Sequence, residues 1–259
     1  GGIVFGAGFE ANTWRVVHKS AETLEQLDEL RGSKYVQSDT GGTFKEAKAF
    51  LDSGRNVLYS GTPCQIAALK KFLGRDYNSL LIVDLICHGV PTPLAWDKYL
   101  KTREEKGGGK ISKATLRRYC NWKEYSIKFE LASPNSPTIY KSNRWYDPYF
   151  ISFIAFWSLR KVCFKCPFRN LKSGADITLG DYNNISELHP EMDDDKGSSV
   201  VIVSSQKGIE AMKNVAIDVI SFETTLSHVI KANPSIIHNH KIPRVRKTFL
   251  RQLPLCQDF

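Results

Sequence analysis

The stretch from Asn56 to Ile86 constrains the fold most, because it alternates strand, loop, helix and strand. Asn56 to Tyr59 has the composition of a strand, Pro63 to Leu73 carries apolar residues on one helical face, and Leu80 to Ile86 is the apolar run of a buried strand. Such a βαβ unit places two parallel strands in one sheet. We therefore predict an α/β fold with α+β character, in which a central mixed or parallel sheet has flanking helices.

Two cysteines follow these two strands. The turn before the predicted helix places Pro63 near the first helical position and Cys64 in the first turn, where free N–H groups favour a thiolate. Cys87 follows the next strand directly. Because open α/β sheets bind ligands at the carboxyl ends of parallel strands, we expect both thiols at the ligand-binding edge.

A second pair of thiols, Cys163 and Cys166, is separated by two residues. This spacing suits a redox dithiol, half of a zinc site or half of an iron–sulfur site. A thioredoxin-like motif begins a helix after a strand, whereas here a helix predicted from Asp147 to Leu159 comes first. Four converging thiols would suit zinc or a [4Fe–4S] cluster, and scattered structural thiols remain an equal alternative. We expect Cys120 and Cys256 to be structural or free.

The remaining chain predicts one composite domain in three parts. Residues 1–106 form an α/β cofactor-binding part, and residues 107–145 form an inserted β-rich module. Residues 146–259 carry the Cys-x-x-Cys segment and a C-terminal α/β part that packs on the first. The module is predicted from the strand Ile111 to Leu116 and the alternation of Tyr125, Ile127, Phe129 and Leu131, followed by a turn at Pro134 to Pro137.

Other local patterns predict further elements. Ile3 to Phe5 and Trp14 to His18 are expected strands joined by a polar turn, and Val219 to Phe222 is an expected strand near the C-terminus. Thr43 and Glu46 have the spacing of a capping box at a helix start. The polar loop Tyr35 to Thr40 before that helix is typical of a solvated loop, and also of a phosphate site.

Charge and composition exclude several classes of protein. The formal net charge is +9, but the densest basic patch, His238 to Arg251, has no modular signature of a nucleic-acid reader, so no nucleic-acid partner is expected. No apolar run is long enough for a membrane span. Six cysteines without framework spacing favour a reducing, cytoplasmic location. The chain begins in an apolar run without Met, so we expect its natural N-terminus to lie upstream.

Six motifs in order resemble the family of beta subunits of hydrogenases and dehydrogenases that use the deazaflavin coenzyme F420. The resemblance extends from Gly1 to about Val203. The motifs are Tyr35-Val36-Gln37-Ser38-Asp39, Gly61-Thr62-Pro63-Cys64-Gln65, Asp84-Leu85-Ile86-Cys87-His88-Gly89-Val90-Pro91, Asp147-Pro148-Tyr149, Cys163-x-x-Cys166 and Ala175-Asp176-Ile177-Thr178-Leu179-Gly180-Asp181. A ferredoxin-like segment, which related bacterial proteins often carry upstream, does not occur in this sequence.

The resemblance implies an iron–sulfur flavoprotein oxidoreductase. It implies that Cys64, Cys87, Cys163 and Cys166 hold one [4Fe–4S] cluster beside FAD or FMN. The implied flavin contacts are Tyr35, Gln37, Ser38, Asp39, Thr40, Gly61, Thr62 and Gln65. His88 is implied to assist proton transfer, although a histidine satisfied by the backbone is as common.

The implied partners are a reduced deazaflavin or similar hydride carrier and an electron-transfer protein or ferredoxin domain. The alternative is a non-catalytic or zinc-stabilised α/β protein that binds an anionic saccharide or a protein partner, for example in polysaccharide biosynthesis.

Overall fold

The computed structural model describes residues 1–117, 126–132 and 137–259. Its strands are β1 (Ile3–Phe9), β2 (Val16–Ala21), β3 (Val57–Gly61), β4 (Leu80–Leu85), β5 (Lys110–Leu116), β6 (Ser126–Ala132), β7 (Thr138–Asn143), β8 (Ile177–Asp181) and β9 (Ser199–Val203). Its α-helices are α1 (Leu24–Leu30), α2 (Thr43–Asp52), α3 (Pro63–Leu73), α4 (Pro93–Gly107), α5 (Pro148–Ile154), α6 (Ile185–Leu188), α7 (Gln206–Val215), α8 (Leu226–Ala232) and α9 (Arg246–Gln252). None of these helices is long and apolar enough to cross a membrane.

The central sheet has the strand order β2-β1-β3-β4-β8-β9. Strands β1, β3, β4 and β8 are parallel to one another, while β2 and β9 pair antiparallel at the two edges. The sheet is therefore mixed with a parallel centre, and the predicted fold class is confirmed. The βαβ unit is β3-α3-β4, in which Gly61 pairs with Asp84.

A second, three-stranded antiparallel sheet has the order β5-β6-β7. Three of its side chains are buried, namely Ile127, Phe129 and Leu131. They belong to the same apolar core as Trp96 and Tyr99 of α4, so this sheet packs on that helix. This sheet lies within the predicted module. Tyr125, Cys120 and most of the predicted turn at Pro134 to Pro137 lie outside the described residues.

Asp147 joins this second sheet to two helices. Its Oδ1 accepts hydrogen bonds from Tyr149 N and Phe150 N at 2.9 and 3.0 Å, which caps α5. Its Oδ2 accepts bonds from the hydroxyls of Tyr99 and Tyr140 at 2.6 and 2.9 Å. The carboxylate is fully buried, so these four donors replace the water that it loses on folding.

Several local predictions are wrong. The predicted helix from Asp147 to Leu159 ends at Ile154, because Phe156 takes a left-handed φ of +63° and the chain then turns so that Leu159 bridges Pro91. Residues 219–222 form no strand, and Ile220 is 91% exposed. No described strand lies beside this segment, so its backbone N–H and C=O groups cannot form the hydrogen bonds of a sheet.

Helix starts also differ from the predictions. The N-cap of α2 is Gly42, and the Thr43 hydroxyl instead donates to Thr40 O at 2.6 Å. Helix α9, which begins within the basic patch, was not predicted.

Candidate functional site

The carboxyl ends of β3 and β4 bring Cys64 and Cys87 to one edge of the central sheet. The two strands run parallel with Gly61 beside Asp84, so the chain leaves the sheet side by side at both points. Cys64 then lies in the first turn of α3, and Cys87 lies two residues beyond β4. The prediction that these cysteines follow neighbouring parallel strands is confirmed.

Gln65 fixes the start of α3 against the polar loop Tyr35 to Thr40. Its Oε1 accepts hydrogen bonds from Thr62 N and Thr62 Oγ1 at 3.0 and 2.9 Å, which caps the helix. Its Nε2 donates to Ser38 O and Ser38 Oγ, both at 3.0 Å. The Thr62 hydroxyl also lies 3.2 Å from Cys64 Sγ. Cys64 is therefore held at a fixed, exposed position beside the loop.

The Cys-x-x-Cys segment forms a 3-10 helix (Lys161–Lys165) that packs against the loop after β4. Arg160 N donates to Val90 O at 2.9 Å, and Leu159 bridges Pro91. Gly89 lies where the loop after β4 comes close to the segment that carries Cys163. Its φ is +106°, and a Cβ there would lie 2.8 Å from Leu159 Cδ1 and 3.3 Å from the Cys163 Cβ. Because only glycine fits this position, the two cysteine-bearing loops can lie in contact.

The four thiols share one neighbourhood. Burial, with a smaller contribution from the nearby Cys64 and Cys163, raises the pKa of Cys87 to about 12, although a hydrogen bond from Gly89 N opposes this shift. Burial also raises the pKa of Cys163, with Cys64 and Cys166 adding to the effect. The structure thus brings together all four cysteines that the sequence singled out.

The arrangement of the thiols bears on the kind of metal site. Within residues 1–117, 126–132 and 137–259, no three Cys, His, Asp or Glu side chains are arranged to hold a metal ion. A zinc ion needs its sulfur ligands about 2.3 Å from a single point. The described geometry therefore lends no support to the zinc alternative, and the cluster stays a prediction that rests on the donor set.

A polar cleft of about 490 Å³ opens beside Cys64. This volume lies in the range of small-molecule and cofactor sites. Its lining includes five of the eight predicted flavin contacts. The other lining residues are four from helices α2, α3 and α4, and one arginine. The lining residues are Gln37, Ser38, Asp39, Thr40, Phe44, Cys64, Gln65, Ala68, Pro93 and Arg160.

The other three predicted flavin contacts do not line the cleft. Tyr35 packs edge-on against Phe150, with ring centroids 5.3 Å apart. Gly61 and Thr62 lie behind Gln65, where a Cβ at Gly61 would be 3.3 Å from Gln65 Oε1. Thr62 serves as the N-cap of α3.

Gln37 supplies evidence that the cleft suits a polar ligand. The loop that carries it is fixed by backbone bonds to β2, where His18 N donates to Asp39 O at 2.7 Å and Asp39 N donates to Val16 O at 2.9 Å. Gln37 Oε1 is nevertheless buried and has no hydrogen-bond partner in the described part of the chain. Since buried polar atoms are nearly always hydrogen-bonded, a donor from a ligand or a water molecule is expected there.

Arg160 was not predicted as a contact residue. It is exposed, lines the cleft and lies three residues before Cys163. Its guanidinium forms no ion pair with a described acidic side chain. The only sequence signal was its place at the head of the basic Cys-x-x-Cys segment.

His88 lies apart from the cleft lining. Its Nδ1 is 2.9 Å from Ser235 Oγ, which is 3.3 Å from His240 Nε2. Burial, together with the nearby His240 and Arg169, lowers the pKa of His88 to about 4, so its ring is neutral at pH 7. The structure does not bring His88 together with the predicted flavin contacts, and its role in proton transfer stays a prediction. Ser235 and His240 carried no sequence signal.

The comparisons with known proteins agree with this fold. The family model that describes the C terminus of the coenzyme F420 hydrogenase/dehydrogenase beta subunit matches residues 54–225. A chain of the F420-reducing [NiFe] hydrogenase complex from Methanosarcina barkeri has a similar fold, with a TM-score of 0.54 and 16% identity over 90% of this chain and 76% of that chain. A search of curated proteins found no match. The family match spans well over half of the length of this chain. The chain therefore belongs to the family of coenzyme F420 hydrogenase/dehydrogenase beta subunits, which are oxidoreductase subunits.

Proposed function

We propose that this protein is an iron–sulfur flavoprotein that passes electrons between a hydride-carrying cofactor and a [4Fe–4S] cluster. In this proposal Cys64, Cys87, Cys163 and Cys166 hold the cluster, and the polar cleft holds FAD or FMN. One observation carries the proposal: Cys64 belongs both to the group of four thiols and to the lining of the cleft that holds five predicted flavin contacts. A flavin and a cluster bound there would be neighbours.

The residues present suit a [4Fe–4S] cluster and a flavin. Four cysteine thiolates are the usual ligands of a [4Fe–4S] cluster. A flavin, if bound, would supply both hydride and single-electron chemistry, and a cluster would supply one-electron transfer, while the protein would set their position and potential. Membership of the coenzyme F420 hydrogenase/dehydrogenase family supports a deazaflavin such as coenzyme F420 as the hydride carrier.

The residues of this chain have separate tasks in the proposal. Gln37 binds the polar edge of the flavin ring, because its buried Oε1 accepts no bond from a described residue. Arg160 pairs with the flavin phosphate, and Phe44 and Ala68 line the cleft with apolar surface. Gly89 N donates toward Cys87 Sγ at 3.4 Å, a contact that stabilises a thiolate ligand.

The test is anaerobic reconstitution with iron, sulfide and FAD, followed by metal and flavin analysis and an absorption spectrum. We expect about four iron atoms and one flavin per chain. Cys163→Ser should lose most of the iron, whereas Cys256→Ser, which changes an exposed thiol outside the site, should retain it. Addition of reduced F420 should bleach the flavin absorbance.

Two results would overturn the proposal. One is a protein that stays colourless after reconstitution, and the other is stoichiometric zinc in both variants. Equal iron in Cys163→Ser and Cys256→Ser would overturn the ligand assignment.

A further inference from the structure

Two segments of the chain carry the entire net positive charge of the protein. Residues 148–175 and 224–257 contain eleven Lys and Arg residues and no Asp or Glu. The rest of the sequence has 25 Lys and Arg against 27 Asp and Glu, so its net charge is −2. The formal charge of +9 is therefore concentrated in these two segments.

The fold packs the two segments together around the Cys-x-x-Cys turn. Asn239 Oδ1 accepts hydrogen bonds from Cys166 N and Arg169 Nε, at 3.2 and 3.3 Å. Arg246 donates to Leu159 O, and its guanidinium lies 5.4 Å from the centre of the Phe164 ring. Cations that are far apart in sequence therefore lie on one surface beside Cys163 and Cys166.

We call this surface the cationic face and define it by five exposed residues, Lys161, Lys165, Lys241, Arg244 and Lys247. None of the five forms an ion pair with a described acidic side chain. Some exposed lysines elsewhere do form ion pairs, as in Lys101 with Glu105 at 3.7 Å and Lys106 with Asp258 at 2.7 Å. A concentrated charge without counter-charges attracts an oppositely charged surface over long range.

Apolar side chains lie among these cations. Val162, Ile242 and Val245 are 60%, 51% and 51% exposed. Protein–protein interfaces commonly combine an apolar centre with a polar rim. All three side chains are aliphatic, so they do not provide the aromatic platforms on which single-stranded nucleic acids stack.

We infer that the cationic face is the docking surface for an acidic electron-carrier protein. The acidic character of the partner follows from the charge of the face, and the protein character follows from its exposed aliphatic side chains. That the partner carries electrons rests on the proposed function, because the face surrounds two of the proposed cluster ligands. Docking there would bring a carrier next to Cys163 and Cys166.

The test uses the reconstituted protein and a small acidic ferredoxin as the probe. Binding is measured by calorimetry at about 50 mM and about 500 mM NaCl, since salt screens such contacts. We expect at least about tenfold weaker binding at the higher salt concentration. Lys241→Glu/Lys247→Glu should weaken binding at low salt by about tenfold or more.

The matched control is Lys71→Glu/Lys213→Glu. It makes the same change in net charge at exposed lysines of α3 and α7, outside both basic segments. We expect this variant to bind within about twofold of the unchanged protein. Both variants should keep the absorption spectrum of the reconstituted protein.

The outcomes separate this inference from the proposed function. Equal weakening by the two variants, salt-independent binding, or tighter binding of duplex DNA of similar charge would each overturn the docking surface. If iron and flavin load normally and only the charge variants behave alike, the docking inference alone fails. If the ferredoxin binds as expected but iron and flavin do not load, the docking surface is supported and the proposed function fails.

Discussion

Gln37 and Arg160 line the cleft from distant parts of the sequence, one with a buried carbonyl oxygen and the other with an exposed guanidinium. The described residues supply neither a hydrogen bond to Gln37 Oε1 nor a carboxylate for Arg160. An unpaired buried acceptor costs about 1–3 kcal/mol. Both groups are explained if a ligand with a donor and an anionic group occupies the cleft.

Arg160→Ala should weaken binding of FAD by at least about tenfold, because a hydrogen bond to a charged group contributes about 1.5–3 kcal/mol. Flavin fluorescence titration measures this change. Riboflavin, which has no phosphate, should bind the variant and the unchanged protein equally. Lys161→Ala serves as the control, because Lys161 lies next in the chain but does not line the cleft. An equal loss of riboflavin affinity would contradict a phosphate contact.

His18 should make stability depend on pH below neutrality. Burial lowers its pKa from 6.5, and its ring stacks on Tyr59 while Nε2 lies 2.9 Å from Ser60 O. The fold therefore favours the neutral ring, so its stabilising contribution is complete above pH 6.5 and is lost as the pH falls through the folded-state pKa. Urea unfolding of His18→Gln should show a smaller loss of stability between about pH 7.5 and about pH 5.5. Equal losses in both proteins would contradict this assignment.

At the scale of elements, the loop after β4 and the 3-10 helix at the cysteines act as one unit. Backbone pairing between residues 90–92 and 158–160 holds the two segments side by side. The positive φ of Gly89 lets the loop turn where a side chain would meet Leu159 and Cys163. The relative position of the upstream and downstream cysteines therefore depends on this contact.

Gly89→Ala should lower the free energy of unfolding by about 2–3 kcal/mol and reduce iron content, because the new Cβ combines backbone strain with a clash. Gly32→Ala is the matched control. Gly32 has a φ of +83°, but a Cβ there meets nothing within 4 Å, so only the strain of about 1–2 kcal/mol applies. Chemical denaturation and iron analysis measure both variants. Full iron content in Gly89→Ala would contradict the role of this contact in placing Cys163.

At the scale of the whole molecule, Arg169 connects three distant parts of the chain. Its Nη1 donates to Cys87 O at 2.6 Å and to Ser235 O, and its Nε donates to Asn239 Oδ1 at 3.3 Å. The side chain is buried. It thus joins the end of β4, the cysteine turn and the C-terminal segment.

Arg169→Ala should lower the free energy of unfolding by about 3 kcal/mol, since it removes a buried side chain and leaves the carbonyl oxygens of Cys87 and Ser235 without this donor. Arg169→Lys keeps the charge but not the planar fork, and should lose about half as much. Lys172→Ala, at an exposed position of the same segment, should change stability by less than about 0.5 kcal/mol. Urea unfolding measures all three, and an unchanged Arg169→Ala would contradict the connecting role.

The sequence by itself determined the βαβ unit, the mixed α/β fold and the placement of Cys64 and Cys87 at neighbouring strand ends. These features follow from local periodicity and from the rule that parallel strands end at the same edge of a sheet. The six sequence motifs also indicated the family, which the family match confirms. They located five of the cleft residues, since Gln37 to Thr40 and Gln65 lie in contiguous polar stretches beside a helix start.

Only the tertiary structure decided which residues from separate segments meet. Arg160 enters the cleft because the chain leaves α5 early and pairs with the loop after β4, a long-range contact with no local signature. The position of His88 beside Ser235 and His240 is also a long-range contact without a local signature. Residues 219–222 were predicted as a strand but form none, because no described strand lies beside them. The cationic face likewise arises because two acid-free segments, far apart in sequence, pack together. Local patterns report the preferences of single elements, whereas these contacts depend on how the elements pack.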